Sequence, residues 1–345
     1  MEKYHVCDSR NHWFSHISGC GGSRYNGSFI VRWLFGPVPS RRFGRSLGID
    51  LFTRKTCTFD CVYCEVGRTP GTTDAVDIFA PVKDVLKELR HYLTEHHDDL
   101  PDFITFAGSG EPTLHRKIDE IIYGIKEMTT VPVVLLTNGS LLHREVVLNR
   151  VLDVDYLVPS LDAGCPETYR FVNRPTAAIP YEKLIEGLIA ARKAYHGHYL
   201  LEVLLVDGIN TSEEELQKLK GWIDKIEPDA VQINTVFRPP AESNVHAASE
   251  KAIQHFAELI GEKAVPVAYY TRRGVKRHVQ GELLKAVILK TVGIRPCTIR
   301  EMSDSIGVSE NNMEAAVREL MTAGKVHEVD FDGVCHIAIT VKPGE

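Results

Sequence analysis

Short apolar runs alternate with amphipathic stretches from Leu34 to about Thr271. The apolar runs predict strands at Leu47–Leu51, Phe103–Ala107, Val133–Leu136, Tyr156–Ser160, Leu200–Val206 and Ala230–Thr235. Between them the pattern predicts helices at Val82–His97, Lys117–Thr129, Arg144–Leu152, Tyr181–Tyr195 and Ser212–Ile226. Strand and helix in regular alternation call for parallel strands joined by crossover helices. About six such units predict an α/β fold, a partial (β/α)6 barrel of parallel strands. In such barrels the chemistry sits on the loops that follow the strands, so each functional motif should fall at a strand's C-terminal end.

The flanks read differently. Residues 1–33 show neither period and are rich in His, Ser, Gly, Asn and Arg, which predicts an irregular extension. Met1 is the only methionine before Met128, and a start at Val31 on an alternative codon stays open. Cys7, His12, His16 and Cys20 have metal-like spacing, but nothing in the pattern puts the two histidines on one helix face, so a disordered tail is expected. From residue 280 onward, helices are predicted at Glu282–Thr291, Thr298–Ile306 and Asn311–Ala323. A hairpin, Lys325–Val329 and Val334–Thr340, folds over Phe331-Asp332-Gly333. Helix, turn, helix and a two-stranded wing describe a small C-terminal winged-helix domain. The domain reading is therefore 1–33 extension, 34–279 core and 280–345 winged helix.

Charge limits the partners. The chain of 345 residues carries a formal net charge of -6, and residues 280–345 hold seven Lys/Arg against ten Asp/Glu. Phosphate binding is mostly cationic, so duplex DNA is not the expected partner of the winged helix, and a substrate- or partner-docking module is. The basic run Arg272-Arg273-Gly274-Val275-Lys276-Arg277-His278 suits either RNA or a solvated linker, and the linker is the favoured reading. No run of about 18 apolar residues and no apolar leader is present, so a cytoplasmic protein without a membrane span is expected.

Eight cysteines are too few for a disulfide scaffold, and three of them crowd into Cys57-Thr58-Phe59-Asp60-Cys61-Val62-Tyr63-Cys64. Thiolates are the usual ligands of iron–sulfur clusters, and a loop with spacings of four and three can turn all three sulfurs to one cluster face. No fourth cysteine lies nearby, which leaves one iron of a [4Fe–4S] cluster open. The alternative is a structural zinc ion with a distant fourth ligand. Cys165, Cys297 and Cys335 are scattered and read as small buried residues.

Cys-x3-Cys-x2-Cys with an aromatic before the last Cys resembles the signature of the radical S-adenosylmethionine (SAM) superfamily. The resemblance implies that SAM chelates the open iron, and that an electron from the cluster cleaves it to methionine and a 5′-deoxyadenosyl radical. Tyr63 then stands where the family contacts adenine. Phe106-Ala107-Gly108-Ser109-Gly110-Glu111-Pro112-Thr113 resembles the family's Gly-Gly-Glu motif, which makes Gly110 and Glu111 candidates for the SAM ammonium. The alternative for Glu111 is a helix start. Asn138, in Thr137-Asn138-Gly139, and Ser160 and Asp162, in Ser160-Leu161-Asp162, end the next two strands and match family SAM contacts. Their alternatives are a turn pair and an N-cap pair.

Gln232 and Asn234 alternate on one face of the last strand; Asn234 is a further cofactor candidate, and Glu202 is a further inward candidate better read as a solvated or paired carboxylate. Arg41, Arg42, Arg174 and Arg238 suit either an anionic substrate or structural ion pairs. Phe35-Gly36-Pro37-Val38-Pro39-Ser40-Arg41-Arg42, Asn173-Arg174-Pro175 and Asn234-Thr235-Val236-Phe237-Arg238-Pro239-Pro240 look like one superfamily branch, near the wyosine-type tRNA-modifying enzymes.

The function expected is an iron–sulfur oxidoreductase-type radical SAM enzyme that abstracts hydrogen from an unknown substrate. A reductant protein of flavodoxin or ferredoxin type is the expected partner, and RNA stays open as substrate. The alternatives are a wyosine-type tRNA-modifying enzyme and a cluster-containing, redox-sensing DNA-binding regulator.

Overall fold

The computed structural model describes residues 33–267 and 281–340. The proposed extension, with Cys7, His12, His16 and Cys20, and the basic run 272–278 lie outside the described residues.

One eight-stranded sheet, ordered β1 to β8 along the chain, carries the core. Its strands are β1 (Leu34–Ser40), β2 (Gly44–Ile49), β3 (Phe103–Phe106), β4 (Val133–Thr137), β5 (Tyr156–Pro159), β6 (His198–Leu205), β7 (Ala230–Thr235) and β8 (Ala264–Pro266). All neighbours pair in parallel except β1, which is antiparallel to β2. The six strands read from sequence are β2 to β7. The expected six-stranded sheet is thus extended by one strand at each edge. Pro37 and Pro39 hid β1, since neither can donate to a ladder; an edge strand tolerates both. β8 has only three residues.

Helices α1 (Val82–Glu95), α2 (Ile118–Lys126), α3 (Glu145–Asn149), α4 (Pro166–Val172), α5 (Tyr181–Ala194), α6 (Glu213–Ile226) and α7 (Glu250–Ile260) accompany the strands. Each presents an apolar stripe. In α2, Ile118, Ile121, Ile122 and Ile125 are all buried. In β6 the alternation is sharp: Tyr199, Leu201, Val203 and Leu205 are buried against the helices, and Leu200, Glu202 and Leu204 face the other way. Burying each Leu or Val of the outer row contributes about 1.5–3 kcal/mol, enough to fix which face turns outward.

The inner face is graded. A separate apolar cluster of Phe43, Phe103, Val134, Leu136, Tyr156, Val158 and Leu200 fills the strands' N-terminal half. Ser46 and Thr105 hydrogen-bond above it (2.6 Å), and toward the strand ends the inward side chains are polar: Asp50, Glu202, Gln232 and Asn234. Apolar floor and polar mouth place the chemistry at the C-terminal strand ends.

The C-terminal region forms α8 (Gly281–Ile294), α9 (Ile299–Ile306), α10 (Glu310–Thr322) and an antiparallel hairpin, β9 (Val326–Phe331) with β10 (Val334–Ile339). Its own cluster includes Leu284, Ile288, Met302, Met313, Val317 and Ile337. Thr298 and Glu301 form a capping box at the start of α9. The charges on α10 are spent locally, Arg318 on Glu314 (3.1 Å) and Glu319 on Lys285 (2.5 Å). Cys297 is buried as expected, but Cys335 is exposed, because β10 turns it outward; Cys165 is half-buried beside Thr168.

This region docks on the core at three places. Ile294 packs with Phe35, Val38 and Ala107. Phe331 packs against the cluster of Val62, Val206, Val236 and Val245. The buried Arg238 pairs with both Glu65 (3.2 Å) and Glu301. Burial works against the Glu65 charge, yet Arg238, with Arg295 and Arg41, holds its pKa below the ordinary value. Among the described residues no helix is long and apolar enough to cross a membrane.

Replacing Arg238 by Met leaves two carboxylates facing one another. Removing one partner of a buried pair costs about 3–5 kcal/mol; because Glu65 and Glu301 keep some contact with water, about 2 kcal/mol is expected here. Hydrogen exchange should quicken across α9 and leave β3 and β4 unchanged; equal protection of α9 in both proteins would refute the docking role.

Candidate functional site

The loop after β2 carries the three cysteines and has almost no regular structure of its own. Two neighbours hold it. On one side, Thr56 N–H donates to Ser109 O (3.0 Å) and Glu111 N–H donates to Thr56 O (3.0 Å). A Cβ on Gly110 would stand 1.9 Å from that same Thr56 oxygen, so only glycine lets the two backbones meet. On the other side, Val62 N–H donates to Val172 O (2.9 Å) and Thr176 N–H to Thr58 O (2.9 Å). Phe59 is buried edge-on against Tyr169 at 5.5 Å, and Val62 is buried beside it in sequence. With Phe59 and Val62 taken inward, the cysteines are left at the half-buried surface of the loop.

Each sulfur then meets one N–H donor from a side chain. Asn138 Nδ2 lies 3.5 Å from Cys57 Sγ, Asn173 Nδ2 lies 3.5 Å from Cys61 Sγ, and Lys55 Nζ lies 3.1 Å from Cys64 Sγ. Burial pushes the Cys57 thiol up to about 12, and burial with the neighbouring Cys64 and Cys57 pushes Cys61 up as well. Bare thiolates are therefore disfavoured, and a bound cation is what would offset the cost while displacing the protons. Among the described residues no three His, Cys, Asp or Glu side chains converge on one point, as a single zinc ion needs. The three thiols of this loop, each with its own side-chain donor, are the residues that would hold an iron–sulfur cluster.

Three buried carboxylates surround the loop. Glu111 accepts from Thr113 N (3.0 Å), Thr113 Oγ1 (2.7 Å), Thr137 Oγ1 (2.6 Å) and Asn138 N (2.7 Å). It caps the short 3-10 turn Pro112–Leu114 and joins the end of β3 to the end of β4. Burial raises its pKa; the four donors oppose that. Asp162 accepts from Tyr63 Oη, Asn173 Nδ2 (2.9 Å) and Leu204 N (2.9 Å), and burial lifts it from 3.8 to about 6. Asp50 accepts from Phe52 N, Ser109 N (both 3.1 Å) and Ser109 Oγ (2.6 Å), and burial raises it too.

The sequence candidates thus fall into two connected groups. Cys61, Tyr63 and Asp162 join through Asn173; Asn138 donates directly to Cys57 and also to Thr58 (2.7 Å), and Glu111 reaches them through the Asn138 backbone. Gly110 seats the loop. Ser160 is at the margin, where Pro159 interrupts the β5–β6 ladder and a bridge to Glu202 resumes it. Asn234 belongs to another set: its Nδ2 donates to Glu202 Oε1 (2.9 Å), and Arg42 holds the other oxygen at 2.5 Å. Arg174 pairs with Glu242 at 2.5 Å, and Arg41 lies 3.5 Å over the Phe237 ring. Arg42, Arg174 and Arg238 thus take the ion-pair alternative. Lys55, Asp50 and Asn173 were not singled out by the sequence as site residues. Asn173 stood in the quoted Asn-Arg-Pro run; Lys55 had only its place before Cys57 as a signal.

The family described as the radical SAM superfamily matches residues 53–220, from the cysteine loop through most of α6. The chain is 34% identical over 313 residues to the GTPase Obg of Brachyspira hyodysenteriae, covering 89% of this chain and 45% of that protein, so it spans less than half of that relative. It is 34% identical over 207 residues to a UPF0026 protein of Synechocystis sp., covering 60% of this chain and 76% of the relative. A solved structure of TYW1 with a lysine-pyruvate adduct bound aligns with a TM-score of 0.48 at 16% identity, over 64% of this chain and 74% of that one.

Two substitutions test this geometry. Gly110→Ala forces the Thr56 carbonyl away and should cost about 1–3 kcal/mol in thermal or urea unfolding, with reduced iron uptake by the loop. Unchanged unfolding and uptake would contradict the close approach. The raised Asp162 pKa means that the folded state holds this proton more tightly than the unfolded one. Its contribution to stability is therefore present at low pH and lost as pH rises from about 4 toward 6. Urea unfolding across that window should show the decline, and Asp162→Asn should flatten it.

The cysteine loop at the end of β2 and the Gly-Glu turn at the end of β3 both lie within the radical SAM domain matched at residues 53–220, and the chain belongs to the UPF0026 family.

Proposed function

We propose that Cys57, Cys61 and Cys64 hold a [4Fe–4S] cluster and that the protein cleaves SAM reductively to abstract hydrogen from its substrate. The observation that supports it is the pairing of each sulfur with its own N–H donor on three separate elements. The cluster supplies the electron and an open iron for the SAM amino and carboxylate groups; a one-electron donor of flavodoxin or ferredoxin type would serve it.

The chain's own residues bind and orient. Asn138 and Asn173 each reach from a sulfur to a second group on the site, Thr58 and Asp162, so the amides cannot turn without breaking two contacts. Glu111 keeps the backbone of Asn138 in place. Among the described residues its Oε2 accepts only the Asn138 N–H, which would leave a lone pair for an ammonium. Tyr63 is held by Asp162 at the rim beside the last cysteine, where a flat base could lie along the ring. Burial raises Tyr63's pKa, aided by the Asp162 charge, so it stays a neutral phenol that donates. Glu202 and Asn234, the former held by its ion pair with Arg42, line the inner face below and would face the substrate.

The test is anaerobic. After reconstitution with iron and sulfide and reduction with dithionite, wild type should release 5′-deoxyadenosine from SAM, and Cys61→Ala should release none. An intact cluster by absorbance that yields no 5′-deoxyadenosine would reject the enzyme reading and favour a redox-sensing regulator.

A further inference from the structure

The three sulfur donors are chemically unequal. Asn138 and Asn173 are neutral amides at 3.5 Å, whereas Lys55 is an ammonium at 3.1 Å. Lys55 Nζ also donates to Gly67 O, and Gly67 N–H donates back to Cys64 O (3.0 Å). The ammonium therefore sits inside the closure of the loop, half-buried and fixed between a backbone carbonyl and one sulfur. Gly67 takes φ +92, a conformation that glycine adopts without strain and that lets its carbonyl turn back to the lysine.

We propose that Lys55 sets the reduction potential of the cluster through a charge-assisted hydrogen bond to the Cys64 sulfur. The inference rests on the cluster reading above. Reduction adds one negative charge to the cluster and its thiolates. A fixed positive charge and a donor on one ligand stabilise that added charge, and so raise the potential. The two asparagines act in the same sense, but without charge. Lys55 is a positioning and tuning residue, since it touches a ligand and no reacting atom. Through it the chain eases the demand on the electron donor, with all of the effect applied at the Cys64 corner.

The experiment is an EPR-monitored redox titration of the reconstituted full chain without SAM, with iron and sulfide counted in each sample. Lys55→Gln keeps a hydrogen-bond donor and loses the charge. The equilibrium constant for reduction should fall about tenfold, about 59 mV for a one-electron couple. Lys55→Arg keeps the charge and should stay within about threefold of wild type. A fully loaded Lys55→Gln with the wild-type potential overturns the inference and leaves the proposed function standing. A wild-type chain that takes up no cluster overturns both. Should Lys55→Gln fail to load, Lys55→Arg decides: a loaded cluster at the wild-type potential supports tuning by charge, and loss of the cluster there too assigns Lys55 to loop closure alone and overturns the proposal.

Discussion

A loop of thiols with no ladder or helix of its own must borrow its shape, and here it borrows from the Thr56 carbonyl pressed against Gly110. That contact leaves no room for a Cβ at residue 110 and fixes the loop's first cysteine relative to the end of β3. The second clamp, against Val172 to Thr176, fixes the other two. Between the clamps Phe59 and Val62 bury themselves, which decides the direction the sulfurs face. Burial of apolar side chains, not the cysteines, orients the site.

The surrounding carboxylates show how burial and chemistry are reconciled. Asp50, Glu111 and Asp162 are each cut off from water, and each receives at least three hydrogen bonds, with Ser109, Thr137, Asn138 and Leu204 reaching them from other strand ends. A buried carboxylate without such partners would be a heavy cost; with them it becomes a cross-link. The same side chains that resemble cofactor contacts thus lock the strand ends into register. A group that is held this firmly cannot reorganise when a ligand arrives, which suits recognition by preset geometry.

The C-terminal helices are joined to this machinery by charge as well as by packing. Arg238 reaches from the end of β7 to Glu65, the residue after Cys64, and to Glu301, a member of the α9 capping box. Phe331 from the hairpin packs against the buried cluster that includes Val62. The acidic balance of residues 280–345 and the local pairing of the α10 charges fit a module that docks on its own core.

The sequence by itself determined the alternation of six strands and their helices, because the periods of burial are written locally in residues such as Ile118, Ile121, Ile122 and Ile125. It also determined the cysteine loop and its position after a strand, since three thiols in eight residues have few other meanings. Only the tertiary structure decided the edges of the sheet, where prolines erase the strand signal in β1 and β8 is too short to have one. It alone brought Asn173 and Lys55 to the sulfurs, gave Asp50 its place under Ser109, and sent Asn234 to Glu202 and away from the thiols. A hydrogen bond between residues 112 positions apart, as between Asn173 and Cys61, leaves no trace in any local period; it depends on two loops being seated against each other by backbone contacts that the whole sheet aligns.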